Sequence, residues 1–127
     1  MTSVEVPYSI ACVLPSLVVV DVTNEIAHQV ARAETPSGIA FVTAGEGGLL
    51  RVNERESGFF ADVRALLERL VPLDVEGREH LLAFLLGART EQVPFADGEL
   101  CLGRWQRILL FGFSDDVPPE WQLTLVG

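Results

Sequence analysis

The sequence of 127 residues contains no lysine. All nine basic residues are arginine, against 18 acidic residues, and the formal net charge is −9. Binding to a nucleic-acid backbone needs clustered positive charge, so this composition argues against a nucleic-acid partner. It argues equally against binding to an anionic membrane surface. An anionic ligand of this chain would have to be held by arginine.

Histidine and cysteine are also scarce, with two of each and no Cys-x-x-Cys pair. Two separated histidines do not supply the three or four ligands of a zinc site, so zinc is not expected. Cys12 and Cys101 are expected to be small buried side chains rather than disulfide partners. We expect His28 on an exposed helix face. For His80, a hydrogen-bonded histidine in the core or at its boundary is favoured over a ligand.

Long apolar runs are missing, since no run approaches the roughly 18–20 residues that span a bilayer. The N-terminal MTSVEVPYS lacks the basic and then apolar segments of a secretory signal. We therefore expect a cytoplasmic protein with no membrane partner. A hydrophobic fraction of 49% over 127 residues predicts a single globular domain, residues 1–127.

Hydrophobic periodicity predicts three helices and several strands. The helices are expected at 24–33 with Thr23 as N-cap, from a Ser57 cap to Leu70, and at 78–88. The third is apolar nearly all round, so we expect it to be deeply buried. Strands are predicted at 3–14, 17–22, 39–43, 49–52, 90–95, 105–113 and 121–126. Because strands and helices do not alternate regularly, the pattern predicts an α+β fold, a mainly antiparallel sheet or sandwich with about three packed helices.

The glycine-rich segment Gly45-Glu46-Gly47-Gly48 is weak evidence for a phosphate cradle. It lacks the Gly-Lys-Ser/Thr of a P-loop and the spacing of G-x-G-x-x-G, and a predicted strand follows it. We favour a tight turn in a hairpin or hairpin-like crossing, with glycines for positive φ or for close backbone approach.

Polar residues form a first candidate site beside a predicted strand end. Asn53 and Glu54 end a strand, and Asp62 lies one turn into the next helix at the margin of its apolar face. The three side chains could converge on a cleft, or Asn53 and Glu54 could only cap and solvate a turn. The sequence does not decide between these alternatives.

A second candidate is Gly103-Arg104-Trp105-Gln106, at the head of a predicted buried strand. The segment offers a close backbone approach, a fork of donors, a stacking plane and an amide, which suit an aromatic phosphorylated ligand. The alternative places Trp105 in the core and Arg104 on the surface.

Several blocks, taken in order, resemble the YjbQ-like family, also called the secondary thiamine-phosphate synthase family. The matching blocks are DVT (21–23), LLRVNERESGFFADV (49–63), HLLAFLLGA (80–88) and DGELCLGRWQRILLF (97–111). The resemblance implies a compact α+β fold and a homotrimer with a pocket near the subunit interface. It also implies a weak thiamine-phosphate synthase activity, which joins a pyrimidine diphosphate to a thiazole phosphate.

The chain departs from the family pattern in its histidines. Gly45 stands where the family has a histidine, and a shortened 73–79 segment leaves only His80 of the central histidine loop. Arg104 replaces a threonine, and Gly112 replaces an acidic residue that a Pro-Arg pair normally follows. These losses remove most of the family's metal ligands.

The resemblance implies roles for the candidate residues. Asn53, Glu54 and His80 are expected to be catalytic, with Glu54 and Asp62 as ligands for Mg²⁺ only. Substrate binding is expected at Gly45, Arg104, Trp105 and Gln106. The resulting hypothesis is a weak transferase acting on small phosphorylated heteroaromatic substrates. The alternative is a catalytically degenerate homotrimer, a binding or structural protein that has lost the metal site.

Overall fold

The computed structural model describes residues 9–87, 89–113 and 118–127. The predicted strand segment 3–8 and Ala88, the predicted last residue of the third helix, lie outside them. The strands are β1 (Ser9–Leu14), β2 (Leu17–Asp21), β3 (Gly38–Ala44), β4 (Gly48–Glu54), β5 (Thr90–Ala96), β6 (Glu99–Leu100), β7 (Gln106–Gly112) and β8 (Trp121–Val126). The helices are α1 (Thr23–Ala31), α2 (Ser57–Leu70) and α3 (Arg78–Leu86).

The strands form two four-stranded sheets. The inner sheet has the order β1-β2-β7-β4 and the outer sheet the order β6-β5-β3-β8. Every pairing between neighbouring strands is antiparallel. This confirms the predicted α+β fold, a mainly antiparallel sandwich with three helices.

The inner sheet is buried on both faces, which explains why its central strands are apolar throughout. Along β2, Val18 and Val20 belong to a core shared with the outer sheet and α1. Leu17 and Val19 alternate with them and belong to a second core, shared with α2 and α3. A strand covered on both sides reads as a continuous hydrophobic run rather than an alternating one.

The glycine turn connects the two sheets instead of closing a hairpin. β3 pairs with β5 and β8, whereas β4 pairs with β7, so the hairpin alternative is wrong and the chain crosses between sheets. The predicted turn chemistry is confirmed: Gly47 has φ 82°. The N–H of Gly45 donates to the carbonyl of Glu120 at 2.6 Å.

Two predicted helix caps are displaced by one residue. The N-cap of α1 is Val22, and Thr23 is the first helical residue, whose Oγ1 accepts from the N–H of Ile108 at 2.7 Å. The N-cap of α2 is Glu56 rather than Ser57, because the Glu56 carboxylate accepts from the N–H groups of Gly58 and Phe59. In both helices the predicted cap is consequently part of the first turn.

Helix α3 is not deeply buried, which corrects the prediction from its composition. Only Arg78 and Leu82 are buried, and Phe84 is 84% exposed. Leu81 and Leu85 are also exposed. The helix packs through Leu82 and Leu86 against the core that it shares with α2. The apolar side chains of Leu81, Phe84 and Leu85 remain accessible.

The predicted surface position of His28 is confirmed, since it is exposed on α1. The expectation for the cysteines is wrong at Cys101, which is exposed in the loop after the two-residue strand β6. Cys12 is half-buried, and both thiols are free. None of the helices within the described residues is long and apolar enough to cross a membrane.

Candidate anion-binding site

The ends of three strands, β2, β4 and β7, lie together at one end of the inner sheet. β2 ends at Asp21 opposite Leu109 of β7, and β4 ends at Glu54 opposite Gln106 of β7. Because neighbouring strands are antiparallel, the carboxyl ends of β2 and β4 lie beside the amino end of β7. This topology gathers charged residues that are distant in sequence.

Asp21 lies at the centre of this end of the sheet. It is the last residue of a strand that is otherwise apolar, and it is 1% exposed. Its Oδ2 accepts from Arg107 Nε at 2.7 Å and from an Arg55 Nη at 3.0 Å. Its Oδ1 accepts from the N–H of Thr23 at 3.0 Å. The buried carboxylate is therefore paired with two guanidinium groups and one backbone donor, as a buried charge requires.

These contacts determine the ionisation of Asp21. Burial by itself would raise the pKa of this carboxyl, because it disfavours the charged form. Hydrogen bonds from Arg107, Thr23 and Arg55 favour the carboxylate and outweigh burial, so the pKa lies below its ordinary value of 3.8. Asp21 is thus negatively charged at neutral pH.

Arg107 is fixed from two directions. Its Nε donates to Asp21, and one terminal nitrogen donates to Asn24 Oδ1 at 3.0 Å. Arg55 shares the same carboxylate oxygen, but its side chain is 46% exposed. Both guanidinium groups keep donors that these contacts do not use, since a guanidinium carries five N–H groups.

The turn between β6 and β7 adds a third arginine and an aromatic ring. The N–H of Gly103 donates to Gln106 Oε1 at 2.7 Å, and the N–H of Gln106 donates to the Gly103 carbonyl at 3.1 Å. Arg104 and Trp105 lie at the tip of this closed turn, with the guanidinium carbon 4.9 Å from the centre of the indole ring. Trp105 is 65% exposed, so its assignment to the core is wrong.

Together these residues line an open cleft of about 410 Å³, which we call the arginine cleft. Its lining consists of Glu54, Arg55, Arg104, Trp105 and Arg107. Three of the nine arginines of an acidic chain thus face one cavity. The lining carries three guanidinium groups against one carboxylate, so its formal charge is positive within a protein of net charge −9. Such a cleft can bind an anion, with Trp105 available to stack on a ring.

The structure brings together some of the predicted site residues. Glu54, Arg104 and Trp105 share the arginine cleft. Asn53 and Glu54 also line a smaller neighbouring cavity of about 210 Å³ with Glu56 and Phe59. Gln106 lies next to the arginine cleft, where its side-chain oxygen holds the turn.

The other predicted site residues lie elsewhere. Gly45 is in the turn from the outer to the inner sheet. A Cβ atom added to Gly45 would lie 3.1 Å from the carbonyl oxygen of Glu120. Asp62 is exposed on α2 and His80 is exposed on α3, so a buried or boundary position for His80 is wrong. Neither Asp62 nor His80 lines the arginine cleft or the cavity beside it.

The described residues do not fit a resident metal ion. Across residues 9–87, 89–113 and 118–127, no three side chains among histidine, cysteine, aspartate and glutamate come close enough to hold one. Among the residues that the structure describes, Glu54 is the one carboxylate in the lining of the arginine cleft. The proposed pair of Glu54 and Asp62 does not share a cavity, so we derive no chemical step through Mg²⁺.

Sequence reasoning missed the central residues of the cleft, namely Asp21, Arg55 and Arg107. One signal was available: Asp21 is the only charged residue in LVVVDV, a run that predicts a buried strand. A charge in such a position requires a partner of opposite sign. With nine arginines in the chain, the sequence does not indicate which of them reaches it.

Comparisons with known proteins match this architecture. The family model for the UPF0047 protein YjbQ-like family covers residues 15–125. A UPF0047 protein from Archaeoglobus fulgidus is 35% identical over 106 residues, covering 76% of this chain and 81% of that protein. One from Methanothermobacter thermautotrophicus is 29% identical over 99 residues, covering 70% and 68%.

Solved structures show the same fold. An uncharacterized YjbQ/UPF0047 protein from Clostridium acetobutylicum gives a TM-score of 0.78 at 20% identity, covering 89% of this chain and 94% of that one. A hypothetical protein from Aeropyrum pernix gives 0.77 at 25% identity, covering 91% and 92%.

The fold and the site together define a class of protein, a two-sheet α+β protein with an arginine-lined cleft at the strand ends of its inner sheet. Within that class the chain belongs to the YjbQ-like family, UPF0047, whose model spans nearly all of its length.

Proposed function

We propose that this chain binds a small phosphorylated heteroaromatic compound in the arginine cleft. The observation that carries the proposal is the convergence of Arg55, Arg104, Arg107 and the exposed Trp105 on one cleft of about 410 Å³. Guanidinium groups donate to phosphate oxygens in a forked geometry, and an indole face stacks on a planar ring. The volume suits a compound of one or two small rings.

Calorimetric titration tests this proposal, with thiamine monophosphate and inorganic pyrophosphate as probes. Arg104→Ala should weaken binding by about three- to tenfold, because a charged donor to phosphate is lost. Arg89→Ala is the matched control, since Arg89 donates to the Ala44 carbonyl and does not line the cleft. Equal losses in the two variants, or no binding by the wild-type protein, would refute the proposed site.

A second candidate function is the transfer reaction that the family resemblance implies. In it a thiazole nitrogen attacks the methylene carbon of a pyrimidine diphosphate, the carbon–oxygen bond breaks, and pyrophosphate leaves with the electron pair. The arginine cleft favours this candidate because fixed cations can stabilise the charge that develops on the departing pyrophosphate. Glu54, the carboxylate in the lining of the cleft, is the residue proposed to take part in this transfer reaction.

Product formation decides between binding alone and turnover. The purified protein is incubated with both substrates, with and without added Mg²⁺, and thiamine phosphate is measured by fluorescence after oxidation. Glu54→Ala should abolish formation if Glu54 takes part. Turnover that Glu54→Ala leaves unchanged would remove the core of the transferase hypothesis. Ligand binding without turnover would support the degenerate binding protein instead.

We also propose that the chain is cytoplasmic and assembles as a homotrimer. The free thiols Cys12 and Cys101 are consistent with a reducing compartment. Exposed large apolar side chains on α2 and α3 provide a surface for self-association. Light scattering would give a mass near three times 13.9 kDa for the trimer, and a mass near 13.9 kDa would contradict it.

A further inference from the structure

The arginine cleft has a feature that its ligand-facing residues do not explain. A negatively charged carboxylate, Asp21, lies directly behind a site that would receive an anion. Its Oδ2 is 2.7 Å from Arg107 Nε and 3.0 Å from an Arg55 nitrogen. By charge alone, a carboxylate in this position opposes anion binding.

The geometry of the contacts offers a reason for its presence. Arg55 is in the segment that follows β4, and Arg107 is near the start of β7. One oxygen atom accepts from both, so their guanidinium groups are tied to a common point. Holding flexible donors in one geometry before the ligand arrives lowers the entropic cost of binding.

Asp21 is itself held rigidly. It is 1% exposed, and its second oxygen accepts from the backbone N–H of Thr23 at the start of α1. Thr23 Oγ1 accepts from the N–H of Ile108, the residue after Arg107. Asn24, the next residue of α1, accepts from the far end of Arg107. Since the N–H of Val22 also donates to the Ile108 carbonyl at 3.0 Å, all four residues of Asp21-Val22-Thr23-Asn24 make hydrogen bonds with β7.

We propose that Asp21 is a positioning residue, which orients Arg55 and Arg107 so that their free N–H groups converge on an anionic ligand in the arginine cleft. This inference rests on the proposed anion-binding function. The negative charge of Asp21 by itself weakens anion binding, whereas its proposed orienting role strengthens anion binding. Asn24 assists by fixing the outer end of the Arg107 guanidinium.

Asp21→Asn tests the proposal, because loss of the negative charge alone should strengthen anion binding and loss of the orienting contacts should weaken it. The variant has nearly the same shape and keeps an oxygen for the Thr23 N–H, but its amide cannot accept from both guanidinium groups. Inorganic pyrophosphate is the probe, titrated calorimetrically. A positioning role predicts that binding weakens about tenfold, even though a negative charge has been removed.

Glu25→Gln is the matched control, because it also removes one negative charge, in this case from the nearby helix α1. Glu25 Oε2 accepts from Gln29 Nε2 on the same helix, and Glu25 does not line the arginine cleft. The control should bind pyrophosphate as the wild type does or slightly more tightly. Asp21→Asn binding as tightly as this control, or more tightly than the wild type, would overturn the proposal.

A second readout follows the arginines without any ligand. In ¹⁵N spectra of the folded wild-type protein, the Nε–H of Arg107 should exchange slowly with water because Asp21 accepts from it. Asp21→Asn should speed this exchange at least tenfold, with circular dichroism confirming the fold. If Asp21→Asn does not fold, Asn24→Ala replaces it, because Asn24 is exposed. That variant should weaken pyrophosphate binding about twofold and loosen the Arg107 side chain.

The two readouts separate the two proposals. Failure of the wild-type protein to bind pyrophosphate would overturn the anion site and the positioning role together. Binding that Arg104→Ala weakens and Asp21→Asn does not would leave the site intact and overturn the role of Asp21 alone. Unchanged Arg107 Nε–H exchange in both Asp21→Asn and Asn24→Ala would also overturn it.

Discussion

Ionisation of Asp21 makes the stability of this protein depend on pH. The folded-state pKa lies below 3.8, so the folded protein binds this proton less readily than the unfolded chain. Asp21 therefore stabilises the fold fully above the unfolded pKa, and the contribution is lost as pH falls below 3.8 through the folded-state value. Asp21→Asn should lower the free energy of unfolding at pH 7 by about 1–3 kcal/mol.

Urea unfolding followed by circular dichroism, from pH 7 down to pH 3, measures this effect. The difference between wild type and Asp21→Asn should be constant near neutral pH and should shrink below pH 4. The reason is that protonated Asp21 and asparagine are both uncharged. A difference that stays the same across the whole range would show that the charge of Asp21 is not what stabilises the fold.

Glycine at position 112 is required by packing rather than by backbone conformation. A Cβ at Gly112 would lie 2.6 Å from Pro119 Cδ and 3.0 Å from Val18 Cγ1. Gly112→Ala should therefore lower the free energy of unfolding by about 1–3 kcal/mol through overpacking.

Gly47→Ala is the comparison, because Gly47 has φ 82° and its Cβ would meet no atom within 4 Å. This variant should lose about 1 kcal/mol through backbone strain alone. Chemical denaturation of both variants measures the two costs. If Gly112→Ala is as stable as wild type, Pro119 does not pack against the inner sheet in the way described.

Among the elements, α2 owes its first turn to the residue before the predicted cap. Both oxygens of Glu56 accept from backbone N–H groups, those of Gly58 and Phe59. Glu56→Ala should destabilise the protein by about 1 kcal/mol, and Ser57→Ala should change stability by less than about 0.5 kcal/mol. Thermal unfolding of the two variants at pH 7 measures the contrast. The reverse order of effects would place the cap at Ser57.

The elements that sequence patterns predicted best are those with strong local signals. Strand β8 matches its predicted bounds, 121–126, and the dipeptide Asp97-Gly98, a sequence typical of a two-residue turn between strands, has positive φ at both positions. Both signals depend on neighbouring residues only. The assignment of β3 and β4 to different sheets depends on pairing with distant strands, and a short glycine segment is compatible with a hairpin or a crossing.

At the scale of the whole molecule, the same distinction separates the parts of the site that were predictable. Glu54, Arg104 and Trp105 share the arginine cleft, and each stood out from its own short segment. Arg55 and Arg107 reach the cleft because Asp21 lies between them, which is a property of the folded sheet. A hydrophobic pattern specifies which residues are buried, but the partner of a buried charge is set by tertiary contacts.

Helix α3 shows the same limit, because its composition predicted burial that a single chain does not provide. Phe84 is 84% exposed, and Leu81 and Leu85 beside it are also exposed. A contiguous apolar surface of this kind is typical of an association interface. For the proposed homotrimer, we therefore expect Phe84→Gln to shift the mass from near three times 13.9 kDa toward 13.9 kDa, measured by light scattering over a dilution series.

Two comparisons make this prediction specific to α3. Ile10→Gln changes an exposed apolar residue on β1, at the edge of the inner sheet, and should leave the mass unchanged. The fold of the Phe84→Gln chain should persist, since substitution of an exposed side chain alters the free energy of unfolding by less than about 0.5 kcal/mol. A trimer that survives Phe84→Gln and dissociates with Ile10→Gln would mean that the chain assembles through the β1 edge, and that the apolar surface of α3 has another use.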